Sequence, residues 1–315
     1  MKRGQIKSAR FCAVALLVLF SCEGKALADY VAGRHYFGRN DYIEYIAGNA
    51  PVILAVPHGG ALTPAEIPNR TWGTLATDRN TDKLARAFVE AFHTATGRYP
   101  HVILCRLKRI KLDANRAIDE AAQGSAWAEQ AWQEWHDFID AAKDAAVKQA
   151  GSGLFIDLHG HAHANQRLEL GYCISGSLLK LCDVEIANYK NRSSLRALTE
   201  ITDTGFGELL RGPHSFGALM AARGFPCVPS PEYPDAGGQP YFSGGYNTRR
   251  HAGRADGAIS GFQLECNFKG VRDTEENRAR AAMALVESVT LYLAIHYSVE
   301  VDRLTEEVLT AAAAN

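Results

Sequence analysis

The sequence has no excess of charge of either sign, since 34 lysines and arginines stand against 35 aspartates and glutamates in 315 residues. A chain this close to neutral has no broad basic surface, so we expect neither a nucleic acid nor another polyanion as its partner. The sequence also lacks internal repeats and an interdomain linker. Its length is sufficient for one large α/β domain with its own core, which we predict over residues 29–315.

Only the N-terminus contains a long apolar run, at residues 11–20, and this run is about half of the ~20 residues that span a bilayer. The basic residues before it are Lys2, Arg3, Lys7 and Arg10. Ala26-Leu27-Ala28 follows it as a cleavage site of small residues. This order is typical of a signal peptide over residues 1–28, so we expect an exported protein, periplasmic or secreted, with no stable membrane span. The alternative is a lipoprotein anchored at Cys22, because residues 19–22 loosely resemble a lipoprotein signal.

Cysteines are few after residue 28, and their spacing fits no metal site. None of the five belongs to a CxxC pair or to a Cys/His cluster. They are Cys105, Cys173, Cys182, Cys227 and Cys266. An odd number leaves at least one thiol unpaired in an exported protein, and proximity in sequence favours a disulfide between Cys173 and Cys182. We expect these residues to have structural rather than chemical roles.

Short apolar, β-rich segments alternate with segments of helical periodicity along the chain. The pattern predicts strands over residues 52–56, 101–107, 154–158 and 259–266. It predicts helices over residues 82–92, 125–150, 209–222 and 275–295. Such alternation is typical of an α/β fold, so we predict one three-layer domain with a mostly parallel, mixed sheet and helices on both faces. Residues 226–257 are the exception, and their proline, glycine and tyrosine content favours the wall of a binding site.

Two of the predicted strands end in histidine followed by glycine. The strand at residues 52–56 leads into Pro57-His58-Gly59, and the strand at 154–158 leads into His159-Gly160-His161. Alternation along the second strand puts Asp157, His159 and His161 on one face. Open α/β sheets place their sites at this carboxyl edge, and neutral imidazole is the commonest protein ligand of metals. The alternative is that these are unrelated surface histidines.

Three further polar segments each have a functional and a structural interpretation. Asp78 precedes a predicted helix, where its carboxylate suits the N-cap position. It can act as a metal ligand only if it approaches His58. Arg109 and Arg116 flank a turn; their planar guanidinium groups suit a carboxylate, but a surface ion pair with Asp113 is the alternative. Glu265 lies inside an apolar strand, where a carboxylate is costly unless it is paired or faces a cavity.

Taken in order, these segments resemble the N-formylglutamate amidohydrolase family. The matching segments are Pro57-His58-Gly59-Gly60, Thr77-Asp78 with Asp82-Lys83-Leu84, Arg109 with Asp113, Asn115 and Arg116, Asp157-Leu158-His159, Gly244-Gly245-Tyr246-Asn247-Thr248-Arg249, and Gln263-Leu264-Glu265. Each motif is short, but six in the right order form a specific signal across most of the mature chain. The resemblance implies a fold similar to that of the zinc carboxypeptidases and the aspartoacylase group.

The resemblance also implies a zinc site on His58, Asp78 and His159, with one position open for water. The carboxypeptidase pair His-x-x-Glu is absent, because His58 is followed by Gly59, Gly60 and Ala61. The second ligand must then come from further along the chain. Asp78 fits the amidohydrolase pattern better than Glu66, which is the alternative carboxylate.

Catalytic and substrate-binding roles follow from the same resemblance. Glu265 would be the general base, and Arg109 would polarise the scissile carbonyl or hold its oxyanion. Asn115, Arg116 and Arg249 would hold a free carboxylate of the substrate.

We therefore expect a secreted, zinc-dependent amidohydrolase that cleaves an amide next to a carboxylate in an N-acyl amino acid, a γ-glutamyl compound or a cell-wall peptide. The chain departs from the family at residues 160–163, and export does not suit cytoplasmic histidine degradation, so the substrate is left open. One alternative is a metallocarboxypeptidase on longer peptides, which an open cleft would favour. Another is a non-catalytic periplasmic binding protein, for which Glu265 would be unnecessary.

Overall fold

The computed structural model describes residue 1, residues 30–253 and residues 257–301. The predicted signal peptide, apart from its first residue, and the alternative lipid anchor lie outside these residues. In the described ranges the strands are β1 His35–Phe37, β2 Ile43–Ile46, β3 Val52–Val56, β4 His101–Cys105, β5 Gly153–His161, β6 Leu168–Gly171, β7 Cys227–Val228 and β8 Ile259–Asn267. The α-helices are α1 Thr81–Thr96, α2 Ile118–Ala122, α3 Ala126–Ala150, α4 Asp183–Ile186, α5 Phe206–Arg211, α6 Phe216–Ala221, α7 Tyr246–His251 and α8 Glu275–Tyr297.

The eight described strands form one mixed sheet in the order β1-β2-β4-β3-β5-β8-β6-β7. The four central strands, β4, β3, β5 and β8, are parallel to their neighbours within this group. Antiparallel pairing adds β2 on one side and β6 on the other. Parallel strands end at the same edge of a sheet, so this arrangement gathers four strand ends and the loops that follow them.

Helices cover both faces of the sheet. Side chains alternate along β3, so Leu54 and Val56 pack on the face covered by α1 and α8, while Ile53 and Ala55 pack on the face covered by α3. All five residues of β3 are buried, as expected for a strand covered on both faces. The predicted three-layer α/β fold with a mostly parallel, mixed sheet is therefore confirmed.

Local signals define the two longest helices. The side chain of Ser125 accepts a hydrogen bond from the amide of Ala128 at the start of α3, and Gly151 ends that helix in the left-handed region at φ 74°. Thr274 caps α8 in the same way, accepting from the amide of Asn277 at 3.1 Å.

One predicted helix is wrong, and three strands differ in length from those expected, β8 by a single residue. Residues 209–222 contain a break, because α5 ends at Arg211 and α6 begins at Phe216 after Gly212 and Pro213. Glycine favours helix ends and proline lacks the N–H that a continuing helix needs. The strand expected over residues 154–158 extends to His161, whereas the strand expected to reach Leu107 ends at Cys105.

The expected disulfide is also wrong. Cys173 and Cys182 are both free thiols, as are the other three cysteines in the described residues.

None of the helices in the described ranges combines the length and apolar character that a membrane crossing requires.

Candidate metal centre and active site

Four neighbouring strand ends bring the candidate residues to one edge of the sheet. His58 follows β3, His159 lies in β5, and Glu265 lies opposite His159 in β8. The loop after β4 contributes residues 109–116. Asp78 reaches the same edge because its amide donates to the carbonyl of His58 at 3.1 Å, which folds the 59–78 loop back onto β3.

His58, Asp78 and His159 meet in a compact triad, which we call the first centre. The two Nδ1 atoms of His58 and His159 are 3.1 Å apart. The Oδ2 atom of Asp78 lies 3.3 Å from Nδ1 of His58 and 3.2 Å from Nδ1 of His159. All three residues are buried, and their ligand-type atoms form a group that could hold a metal ion.

A buried carboxylate lies behind each histidine of the first centre. Asp113 Oδ1 is 2.6 Å from Nε2 of His58, and Asp157 Oδ2 is 3.2 Å from Nε2 of His159. A carboxylate in this position favours the tautomer with its proton on Nε2, which leaves the lone pair of each ring on Nδ1. Both lone pairs therefore point at each other and at Asp78.

This arrangement fits a bound cation such as zinc. Two imidazole lone pairs and a carboxylate oxygen repel one another when nothing lies between them. Ligand atoms about 2.0–2.1 Å from a tetrahedral zinc ion are about 3.3–3.4 Å apart, close to the separations seen in the triad. The donor set of two nitrogens and one oxygen also suits zinc.

The electrostatics of the first centre favour ionised carboxylates and positive charge. Burial raises the pKa of Asp78, but His58 and His159 outweigh this effect and hold the pKa well below its usual range. Burial lowers the pKa of His159, but Asp157 and Asp78 raise it well above its usual value.

Glu265 combines full burial with an incomplete set of hydrogen bonds. Its Oε1 accepts from Nε2 of Gln263 at 2.7 Å, whereas its Oε2 has no hydrogen-bond partner among the described residues. Burial raises the pKa of Glu265 to about 7, and the positive charge of His159 opposes that rise. A carboxyl group with a pKa near 7 can both accept and return a proton at neutral pH.

Arg109 lies against the first centre and is held by carboxylates. Its Nε donates to Oδ2 of Asp113 at 2.9 Å, and its Nη1 lies 3.7 Å from Oδ1 of Asp78. The ion pair with Asp113 considered from the sequence exists, but it is buried rather than on the surface.

Asn115 is also part of the site. Its amide N–H donates to Oδ1 of Asp113 at 3.0 Å, and its side-chain oxygen accepts from the amide of Asn247 at 2.8 Å. The side-chain nitrogen of Asn115 lies 3.1 Å from Nε2 of His159.

Arg116 and Arg249 lie further out. The Nε of Arg116 donates to Glu120 at 3.0 Å, so its partner is Glu120 rather than Asp113. Arg249 Nη1 donates to the carbonyl of Gly244 at 2.9 Å. Both arginines line the same cavity as the first centre and Glu265.

Glu66 lies away from the first centre, because its carboxylate bonds to the hydroxyl of Tyr42 and approaches Asn40. Asp78 does not cap helix α1, which begins after Asn80 without a side-chain cap. Asp113 and Asp157 lie against the rings of His58 and His159 respectively, a role that the sequence pattern had not assigned to either carboxylate. For Asp157 the signal was its i, i+2 spacing to His159, which places both side chains on one face of β5.

The cavity above the first centre has a volume of about 650 Å³. One side is formed by residues 241–246, which we call the cavity wall. The hydroxyl of Tyr241 donates to the carbonyl of Leu170 at 2.6 Å, and the amide of Phe242 donates to Glu169 at 2.8 Å. The prediction that residues 226–257 form a binding wall thus agrees with the position of residues 241–246 and Arg249.

Comparison with solved structures gives remote resemblances. The N-formylglutamate amidohydrolase from Ralstonia eutropha JMP134 is 14% identical, with 82% of this chain and 99% of that chain covered at a TM-score of 0.48. The gene product Atu2144 from Agrobacterium tumefaciens is also 14% identical. That comparison covers 80% of this chain and 95% of the other chain, at a TM-score of 0.48. The N-acetylmuramyl-L-alanine amidase Ami1 from Mycobacterium abscessus is 12% identical. That comparison covers 78% of this chain and 99% of the other chain, at a TM-score of 0.29. No protein-family model and no curated protein matches the chain. The first of these structures bears the name of the family that the sequence resembles.

Proposed function

We propose that this chain is an exported, zinc-dependent amidohydrolase that cleaves an amide bond next to a substrate carboxylate. The observation that carries the proposal is the first centre, where His58, Asp78 and His159 bring three ligand-type atoms to within 3.1–3.3 Å of one another. The N-terminal sequence supports export, because residues 1–28 have the order of a signal peptide.

Zinc held by His58, Asp78 and His159 would supply Lewis acidity, which polarises a carbonyl and makes water a better nucleophile. The residues around it would handle protons and charge. Glu265 would take a proton from the attacking water on its unpartnered Oε2 and return it to the nitrogen of the leaving amine. Gln263 would keep the carboxylate of Glu265 in place through the 2.7 Å hydrogen bond to Oε1.

Arg109 would stabilise the negative charge that develops on the carbonyl oxygen. Its guanidinium group is fixed by Asp113, so little reorganisation is needed during the reaction. Asp113 also bonds His58, and through this shared carboxylate one buried residue would orient both the metal ligand and the oxyanion partner.

Arg116, Arg249 and Asn115 would select a substrate with a free carboxylate. They line one cavity with Glu265, and a volume of about 650 Å³ is within the common range for small-molecule sites. The cavity wall lines the space above the first centre, which favours small acyl amino acids or γ-glutamyl compounds over long peptides. A binding protein would gain nothing from Glu265, whose buried, half-satisfied carboxylate costs stability.

Hydrolysis assays on the purified protein test this proposal. We expect chelation to abolish hydrolysis of N-acyl amino acids or γ-glutamyl compounds, and zinc to restore it. His58→Ala should lose one bound ion per chain together with activity, while His93→Ala, a change at an exposed helix position, should keep both. A folded His58→Ala variant with full metal content and activity would contradict the proposed metal centre.

A further inference from the structure

A second group of ligand-type side chains lies beyond the first centre and shares no residue with it. His161 ends β5, His163 follows two residues later, and Glu169 lies in β6. These three residues, which we call the second cluster, bring one possible ligand atom each to within 4.8 Å of the others. His161 and Glu169 are buried, and the side chain of His163 is partly exposed.

His161 is oriented as a metal-binding histidine usually is. Its Nε2 lies 2.8 Å from the carbonyl of Arg167, a pure acceptor, which fixes the ring proton on Nε2. The lone pair is therefore on Nδ1, where it accepts a hydrogen bond from the backbone amide of His163 at 3.1 Å, a bond that a metal ion on Nδ1 would replace. A ring whose second nitrogen donates to a backbone carbonyl is the common arrangement behind metal ligands.

Glu169 is a fully buried carboxylate in an unfavourable position. It pairs directly across from Glu265 on the neighbouring antiparallel strand, and opposed like charges destabilise a sheet. Its hydrogen-bond donors are His163 Nδ1 at 2.7 Å and the amide of Phe242 at 2.8 Å. The buried cation Arg272, which follows β8, bonds to carbonyl groups such as those of Cys266 and His161.

We propose that His161, His163 and Glu169 bind a second divalent transition-metal ion, separate from the first centre. Two imidazoles and a carboxylate suit zinc, nickel or copper better than calcium or magnesium, which prefer oxygen ligands. Binding would replace the proton that His163 now shares with Glu169, and this proton would be released to solvent. The ion would also offset the charge of Glu169 facing Glu265.

The second ion would fix the cavity wall. Glu169 already holds the amide of Phe242, and the ring of His163 stacks on the ring of Phe242 with centroids 4.7 Å apart and planes at 9°. An ion on these side chains would therefore tie β5, β6 and residue 242 together at the rim of the cavity.

Metal stoichiometry tests the proposal without any activity measurement. We expect the purified protein, loaded with zinc or cobalt and freed of loosely bound metal, to retain an ion that depends on His163. His163→Ala should weaken that binding by at least about 10–100-fold, since loss of an outer partner alone has this effect. His93→Ala is the matched control, and the absorption spectrum of bound cobalt reports nitrogen coordination.

Two further variants keep the outcome decisive. Glu169→Gln keeps the size of the side chain and should also lose the ion, while His58→Ala should lose only the ion of the first centre. One retained ion that depends on His163 but not on His58 would support the second site and contradict the first. Metal content unchanged in folded His163→Ala and Glu169→Gln would overturn the second site, whatever the result for His58→Ala.

Discussion

Glu265 is the residue on which the proposed chemistry depends most directly. Glu265→Gln keeps the size of the side chain and can still accept the hydrogen bond from Gln263, but an amide cannot take up a proton. We expect folding and metal content to survive while kcat falls by about 10²–10⁴-fold, the usual contribution of a general base. Glu90→Gln, at an exposed position of α1, is the control. Full activity in Glu265→Gln would remove this residue from the mechanism.

Arg116 tests the specificity for a carboxylate. Arg116→Ala should reduce kcat/KM for free-carboxylate substrates about ten- to a hundred-fold more than for their amidated analogues, as expected for a hydrogen bond to a charged group. Arg116→Lys should not rescue this loss, because an ammonium group lacks the two-pronged geometry. Glu120→Gln removes the negative charge beside Arg116 but keeps its cation, so the preference should remain. Equal losses on both substrates would assign Arg116 a structural role.

Asp113 tests whether the carboxylate behind His58 controls metal binding. Asp113→Asn removes the charge that fixes the proton on Nε2 of His58, so we expect zinc affinity to fall by about 10–100-fold. Full zinc occupancy should return at saturating zinc, which a general loss of folding would not allow. Zinc titration with a competing chelator measures the effect, and an unchanged affinity would rule out the orienting role.

The residues of the candidate site were more predictable than their partners. His58 follows β3, Asp78 precedes α1 and His159 lies near the end of β5, and their order in the sequence resembles that of a known family. Asp113 was seen only as an ion-pair partner on the surface, because its burial depends on how the loop after β4 folds over His58. The same loop pairs Arg109 with Asp113 and leaves Arg116 to Glu120, which no local pattern specifies.

At the scale of elements, the junction of β5 with β8 positions His159 opposite Glu265 and depends on Gly261. A Cβ at Gly261 would overlap the carbonyl oxygen of Phe155 in β5. We expect Gly261→Ala to destabilise the protein by about 3 kcal/mol, the upper end for overpacking, and to separate the two strands. Gly205 has a negative φ and open space around it, so Gly205→Ala should stay within about 1 kcal/mol of the wild type. Denaturant unfolding compares the two, and similar values would contradict the packing argument.

Long elements were predictable from periodicity, and short ones were not. The sequence indicated β3, α3 and α8 almost to the residue, because each is a buried run or an amphipathic run with clear caps. The outer strands on the two sides of the sheet, β1, β2, β6 and β7, have four residues or fewer, too few to show a period. The error over residues 209–222 arose because apolar residues continue at helical spacing on both sides of the break at Gly212 and Pro213.

For the whole molecule, buried neutral histidines predict sensitivity to acid. Burial lowers the pKa of His101 to about 4, and burial followed by the charge of His251 lowers that of His136 to about 2. Below pH 6.5 the unfolded chain gains protons on these residues that the folded protein does not bind. The free energy of unfolding should therefore fall as pH drops from 6.5 towards 4, by up to about 1.4 kcal/mol per pH unit for each group.

His101→Gln isolates one of these groups. The amide oxygen of glutamine can accept the hydrogen bonds that His101 Nδ1 receives from Tyr45 and Gly48, but it does not titrate. The slope of unfolding free energy against pH measures how many more protons the unfolded chain binds than the folded protein. Between pH 6.5 and 4.5 we expect this number to be smaller by about one in His101→Gln. His93→Gln, at an exposed position, should leave the slope unchanged. An unaltered slope in His101→Gln would mean that His101 is protonated in the folded protein.

The spacing of the first centre along the chain has a consequence for folding. His58 and Asp78 are 20 residues apart, and His159 is another 81 residues away. Closing the loop from Asp78 to His159 costs only about 1.2 kcal/mol more in chain entropy than closing the loop from His58 to Asp78. The difference is small because the cost grows with the logarithm of loop length. The larger obstacle is kinetic, since β3 and β5 must pair across about a hundred residues before the three ligands can meet. The first centre is therefore a late product of folding, and a nascent chain that stops short of β5 carries two of its ligands without any site.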